Sequence, residues 1–382
     1  MSNSYDVIVL GVGAMGSAAL YHLAKRGRRC LGLEQFNVPH DRGSSHGVTR
    51  IIRLPYYEHS SYVPLVRRAY RLWQELESVT GTRLLHVTGS VDAGPPESSL
   101  FEGAKRSCAL YDLPHEILTS AELTKRFPGY RLPADSLAVF QPEGGFLLPE
   151  TCVSSHAMLA QAHGAELHAR EKVLSWEPSR EGVKVVTKNS HYLARRLVIS
   201  AGAWISRFVP LLKDQAVPER QVLGWFQPRR PEWFQPDTFP VFNLAVDEGR
   251  YYGLPVFGIP GFKFARYHHR EERVDPDTYD RECGDKDEEL LRGFGERYFP
   301  DGCGSVMSMQ TCMFTNTPDE HFVIDVLPGC EQVIVASPCS GHGFKFSSVI
   351  GEILADLVED GSTSHDISLL RIGRLCEKER LL

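Results

Sequence analysis

The feature that most constrains this chain lies in its first 34 residues. Asp6 to Leu10 reads Asp-Val-Ile-Val-Leu, a β-branched run of the kind found in a strand buried on both faces. Gly11-Val-Gly13-Ala-Met-Gly16 follows at once. An Ala- and Leu-rich helical stretch then runs from Ser17 to Lys25, and a second short strand, Cys30 to Leu33, ends in Glu34. In this order Gly11 permits the tight turn, Gly13 lets the backbone approach a pyrophosphate, and Gly16 lets the helix pack close to the strand. The helix N-terminus offers free N–H groups and a partial positive charge to phosphates. Glu34, eighteen residues after Gly16, can accept hydrogen bonds from ribose hydroxyls. The glycine motif alone is weak. Its strand–helix–strand–acid context makes it a dinucleotide site rather than a structural turn. It does not choose between a nicotinamide and a flavin dinucleotide.

A chain of 382 residues, 42% hydrophobic and 24% charged, can bury a sizeable core. Its length suits one large enzyme or two interleaved domains, at about 100–200 residues per domain. The net charge of −6 gives no basic patch for nucleic acid. The basic stretch Lys25 to Arg29 reads as a solvated helix end. Nine cysteines, irregularly spaced and without C-x-x-C, argue against a disulfide framework or a zinc site. A reducing compartment is the simpler reading. The first strand begins too early for a signal peptide to precede it, and no apolar run approaches the ~18 residues of a membrane span. Arg380-Leu381-Leu382 is not a convincing peroxisomal address. The expectation is a cytoplasmic protein without metal, membrane or nucleic-acid partner.

Three later segments point to flavin. Gly43-Ser-Ser-His46-Gly47-Val-Thr-Arg50-Ile-Ile-Arg53 sets two arginines and a histidine soon after the acid. Such arginines could hold a carboxylate by bidentate pairing; the plain alternative is a polar surface loop. Leu197 to Trp204 is an apolar strand ending in small residues, weakly informative alone. Ser340-Gly341-His342-Gly343-Phe344-Lys345 opens a helical stretch from Ser347 to Leu357, again a cradle for an anion or carbonyl. In a flavin enzyme it could stabilise charge on the reduced ring, with Lys345 placed to help; otherwise it is a helix cap with an exposed lysine.

Together these motifs resemble the monomeric sarcosine oxidase and N-methyltryptophan oxidase family, part of the D-amino-acid-oxidase-like flavoproteins. The similar segments run from Tyr5 to about Ile372. The most telling is Cys312-Met-Phe-Thr-Asn-Thr-Pro-Asp319-Glu320-His-Phe-Val-Ile-Asp325. By residue type alone Cys312 is a buried thiol. The resemblance implies that it carries FAD through an 8α-thioether. Phe314 stands where the family usually has tyrosine.

The resemblance implies that the substrate is a secondary amine bearing a carboxylate, oxidised to an imine that water hydrolyses, with oxygen reduced to hydrogen peroxide. The flavin brings the hydride chemistry and the protein brings binding and electrostatics. Arg53 and Lys345 would fix the carboxylate. A cationic pocket would also favour the neutral, reactive amine. His46 and Arg50 would lie near the flavin ring and Tyr252 would line the substrate cavity. Lys263 would sit over the flavin, a fixed cation that assists oxygen reduction. Its spacing from Tyr252 matches the family, but Phe264-Ala-Arg266-Tyr267-His268 holds one residue more than usual before the histidine. A one-residue slip turns a strand side chain to the other face, so either Lys263 or His268 is displaced and His269 could substitute. His268 and His269 are adjacent and would point apart, which speaks against a metal.

The expected fold is α/β (α+β), a Rossmann-type FAD-binding domain (1–85, 146–215 and 320–382) interleaved with a mixed-sheet substrate domain (86–145 and 216–319). Tyr251 to His269 reads as a strand pair roofing the flavin. Pro228, Pro231, Pro236 and Pro240 mark a connection, and Asp285 to Glu289 a helix start. A monomer is the family tendency. The rivals are a D-amino-acid or cyclic imino-acid oxidase or dehydrogenase on the same scaffold, a nicotinamide dehydrogenase, which lacks support from the later motifs, and a non-catalytic flavin-binding protein.

Overall fold

The structure is a computed structural model that describes residues 4–337 and 339–376. The tail Arg380–Leu382 lies outside the described residues. No described helix is long and apolar enough to cross a membrane.

The β-branched run becomes the strand Ser4–Leu10, almost wholly buried as its composition demands. It pairs in parallel with Cys30–Leu33 on one side and His191–Ile199 on the other, with Leu10 opposite both Leu33 and Ile199. Val333–Ala336 adds in parallel to His191–Ile199. The carboxyl ends of these strands therefore share one edge, where ligands bind in open α/β sheets. The helices Ala14–Lys25, Pro149–Ala162 and Ser347–Asp360 cover one face. Gly351 makes that packing possible: a Cβ there would come within 2.6 Å of Ala18 Cβ. The basic helix end expected to be merely solvated is tied down. Arg26 and Arg28 reach Asp356 and Glu359 of the Ser347–Asp360 helix.

A second eight-stranded sheet runs in the order 306–316, 217–226, 262–266, 249–254, 241–246, 90–94, 137–141, 116–119. It is antiparallel except where Val241–Val246 lies parallel to Ser90–Gly94. Alternation gives it two unlike faces. Phe226, Phe262, Phe264 and Phe242 bury under the helix Asp285–Tyr298, with Phe294 stacked on Tyr251 at 3.8 Å between ring centres. Leu223, Trp225, Ala265 and Cys312 turn the other way, toward Val48 and the loop behind the first sheet. The Pro-rich connection carries only the short turn Pro231–Trp233. A small three-stranded sheet, Arg50–Ile52 with Gly145–Leu147 and Leu85–Val87, sits beside both.

Candidate active site

One long cavity runs from the carboxyl edge of the first sheet to the inward face of the second. Gly11, Gly13 and Glu34 line one end, Cys312 lines it further along, and Arg53, Asn243, Tyr252, Tyr267 and Lys345 line the other end.

At the first end the glycines do three separate things. Gly11 has φ +87°, and a Cβ there would meet Ser200 O at 2.7 Å. A Cβ on Gly16 would fall 1.8 Å from Gly11 O, so the helix can sit this close only on glycine. Gly16 is accordingly absent from the cavity wall. Gly13 has open space where its side chain would be, with nothing nearer than 3.9 Å. It also begins the helix, and no side chain caps that terminus. An uncapped helix N-terminus on a cavity is a built anion site. Glu34 is buried, held by the N–H groups of Val12 (2.9 Å) and Phe36 (3.0 Å). A long cavity with an open phosphate cradle and a buried ribose-reading acid fits FAD.

Midway, Cys312 is buried with His46 and Arg50 beside it. Arg50 Nη2 lies 3.5 Å from the sulfur. Burial alone would raise the thiol pKa, but the hydrogen bond and charge of His46, joined by Arg50, pull it down to about 6. Buried Cys152 and partly buried Cys339, without such cations, are pushed upward by desolvation. Lys263 stands one layer behind the wall. Its Nζ donates to Gly47 O (2.7 Å), Thr49 O (2.8 Å) and Thr49 Oγ1 (3.1 Å), and packs over Trp225. Burial, reinforced by Arg50, holds its pKa well below the usual lysine value. It therefore ties down the loop that carries His46 and Arg50. The glycine loop passes close to the site: Gly341 adopts φ +77°, and a Cβ there would meet the Phe314 ring at 2.7 Å. Gly343 lines the same stretch.

At the far end Arg53 is almost wholly buried. Its guanidinium donates twice to Glu58, at 2.8 Å each, and to Pro55 O; its Nε lies 3.8 Å from Asp92. Burial opposes both charges of the Arg53–Glu58 pair. Arg53 nevertheless holds Glu58 down at about 2, helped by His342 and Lys345. Asp92, more weakly paired, is pushed up to about 6 by burial. Lys345 Nζ donates to His342 O at 2.8 Å, which engages only part of the ammonium. Burial and then Arg53 lower it to about 7. His342 itself is a brace: Nδ1 meets Tyr56 Oη at 2.6 Å, Nε2 meets Glu320 O at 2.9 Å, and burial lowers its pKa to about 4.

His268 is not in the cavity wall, which corrects the catalytic role expected of it, and His269 does not replace it. His268 bonds Glu219 and Glu320 at 3.0 Å, and those bonds push it up to about 9. His269 is buried against Asp287. The reason is strand parity. Lys263 and Ala265 share the inward face of Phe262–Arg266, so the extra residue brings Tyr267 to that face. His268 then takes a left-handed φ of +52° and turns the chain away. Among the described residues no metal-binding cluster forms.

Sequence reasoning missed Glu58, Asp92, Asn243 and Tyr267. Parity counted from Lys263 would have found Tyr267. Asp92, the one charged residue of Ser90–Gly94, and Asn243, the one polar residue of Val241–Val246, carried a faint signal. Glu58 carried none.

Residues 6–357 match the model of the FAD dependent oxidoreductase family. The chain is 44% identical to a monomeric sarcosine oxidase of Streptomyces avermitilis, over 98% of this chain and 99% of that protein. The chain belongs to the FAD-dependent oxidoreductases, in their monomeric sarcosine oxidase and N-methyltryptophan oxidase family. An N-methyl-L-tryptophan oxidase of Yersinia pestis is 34% identical over 97% of this chain and 99% of its own length. Among solved structures, NikD, an unusual amino acid oxidase essential for nikkomycin biosynthesis, superposes with a TM-score of 0.83 at 25% identity, over 96% of this chain and 97% of its own. In this family setting the chain is an FAD-dependent oxidoreductase, and the nicotinamide and non-catalytic readings fall away.

Proposed function

We propose that the chain is an oxidase of secondary amines that carry a carboxylate, N-methyl amino acids of the sarcosine or N-methyltryptophan type, giving imine and hydrogen peroxide. The observation that carries this reading is Lys345, a buried ammonium on the cavity wall with a single carbonyl bonded to it. An arriving carboxylate completes its hydrogen bonding in a site shielded from water. Arg53, already matched by Glu58, contributes charge and keeps the wall rigid. The two cations also disfavour an ammonium nearby, so the amine sits there in its neutral form. Tyr252, Tyr267 and Phe314 give the substrate its aromatic walls: Tyr267 lies 5.0 Å from Tyr252 and 5.8 Å from Phe314 between ring centres.

When bound, FAD accepts the hydride equivalent and passes electrons to oxygen. Its pyrophosphate would lie at Gly11–Gly16 and its ribose at Glu34. The ring would lie between the Gly341–Gly343 loop and Cys312. The lowered thiol of Cys312, beside His46 and Arg50, supports an 8α-thioether at this cysteine, because the thiolate is the nucleophile. Lys263 would act from behind the wall as the hydrogen-bond anchor of the loop that carries His46 and Arg50. We divide the chain into an FAD-binding domain (1–85, 146–215, 320–382) and a substrate domain (86–145, 216–319), from which the two large sheets draw their strands. We assign it as a monomer, in keeping with its sarcosine oxidase relatives, and as cytoplasmic, where free thiols persist.

Anaerobic titration tests the reading. Sarcosine or N-methyltryptophan should bleach the visible flavin band, and air should restore it with one hydrogen peroxide per turnover. Bleaching only by D-amino acids, proline or pipecolate would transfer the assignment to the rival substrates. Failure of air to restore the band would make the enzyme a dehydrogenase.

A further inference from the structure

Resting on that reading, the substrate end carries a polar device that carboxylate binding leaves unused. Asn243 lines the cavity and is 1% exposed. Its Nδ2 donates to Asp92 Oδ1 at 2.9 Å, and Asp92 is wholly buried, with Oδ2 unpartnered. Ionised Asp92 can only accept, so above about pH 6 this bond fixes the planar amide one way round. The amide nitrogen is turned to Asp92, which leaves Oδ1 as the acceptor that this cavity-lining residue can offer a ligand. Asp92 is itself held beside Arg53 Nε at 3.8 Å, so the pair adjoins the cationic end of the pocket. Asn243 also lies directly across the strand pair from Tyr252, on the same face. The phenols of Tyr252 and Tyr267 line the cavity next to it. A buried acceptor flanked by phenols is poorly matched by an apolar side chain and well matched by a hydroxyl. The hydroxyl donates to Asn243 Oδ1 and can accept from a phenol.

We propose that Asn243 is a specificity-determining residue, oriented by Asp92 as its positioning residue, and that it selects N-methyl amino acids whose side chain bears a hydroxyl. Burying an acceptor against a methyl group leaves it unsatisfied, and sites built to bond a hydroxyl reject the analogue lacking it strongly.

N-methylserine and N-methyl-2-aminobutyrate differ only by hydroxyl for methyl. With the FAD-loaded enzyme, kcat/KM should favour N-methylserine by about tenfold or more. Asn243→Leu should bring that ratio to about one or invert it, with a smaller loss on sarcosine. Asp92→Asn frees the amide to turn over and should lower the ratio severalfold, read as a ratio so that general loss of activity cancels. Should Asn243→Leu fail to hold FAD, the wild-type ratio and Asp92→Asn decide. Equal rates on the two substrates in the wild type, while sarcosine still bleaches the flavin, overturn the inference and leave the oxidase reading standing. So does an equal loss on sarcosine and N-methylserine in Asn243→Leu, which would make the amide an acceptor for the amine itself. If no N-methyl amino acid bleaches the flavin, both readings fail together.

Discussion

The two ends of the cavity are built by different means. At the nucleotide end the contacts offered to a ligand by the first 34 residues are the backbone groups of the glycine turn and helix start, joined by one side chain, the Glu34 carboxylate. The end works because three side chains are missing, at Gly11, Gly13 and Gly16, and because a helix starts there uncapped. At the substrate end every group is a side chain. Arg53, Glu58, Asp92, Asn243, Tyr267 and Lys345 come from distant parts of the chain and meet only when two sheets face each other. The first end should tolerate loss of a single side chain, whereas the second holds compensating charges in a dry setting, where removing one strands another.

The largest contrast is expected from Cys312→Ser. Acid or denaturant should release all of the flavin from this variant and none from the wild type, while the native variant stays yellow because the nucleotide end still grips the cofactor. Flavin that remains with the acid-precipitated variant would move the linkage to another residue.

Next comes Arg53→Met. It leaves Glu58 and Asp92 buried without their cation, and unfolding by denaturant should show a loss of about 3–5 kcal/mol. A loss under 1 kcal/mol would mean that the substrate end is looser than its hydrogen bonds suggest.

Lys345→Met should be smaller in stability and selective in function. Charged hydrogen bonds contribute roughly 1.5–3 kcal/mol, so kcat/KM for sarcosine should fall about 10- to 100-fold. Its pH dependence is also distinctive. The ammonium is lowered to about 7, so it is charged below that pH and lost above it. A simple carboxylate without an amine should therefore bind more weakly as pH rises through about 7, by up to about tenfold per pH unit. In Lys345→Met this slope should vanish. A slope that persists would assign the titration to another group.

The smallest effect belongs to His268→Gln. Because His268 stands outside the cavity wall, turnover should change by no more than about threefold, and a loss of a hundredfold would restore the catalytic role. The bonds to Glu219 and Glu320 raise its folded pKa from 6.5 to about 9. The stabilisation is therefore complete below about pH 6.5 and is lost as pH rises through about 9. Roughly 1–2 kcal/mol, discounted for partial exposure, should disappear over that window in the wild type and stay flat in the variant.

Sequence alone could settle what is written in contiguous residues. The strand–glycine–helix–strand–acid order fixes a backbone conformation locally, so Gly11, Gly13, Gly16 and Glu34 could be read one by one. The segment around Cys312 could be read as a family resemblance, and its electrostatic reason needed His46 and Arg50 from more than 260 residues away. Tertiary structure decided the rest. A single added residue set which of Tyr267, His268 and His269 meets the cavity, because strand parity depends on where the strand ends. The Arg53–Glu58–Asp92–Asn243 chain exists only because strands 90–94 and 241–246 lie side by side against the Arg53 segment. Backbone geometry is a short-range property of the chain, whereas the matching of buried charges and hydrogen bonds arises only when distant segments exclude water together.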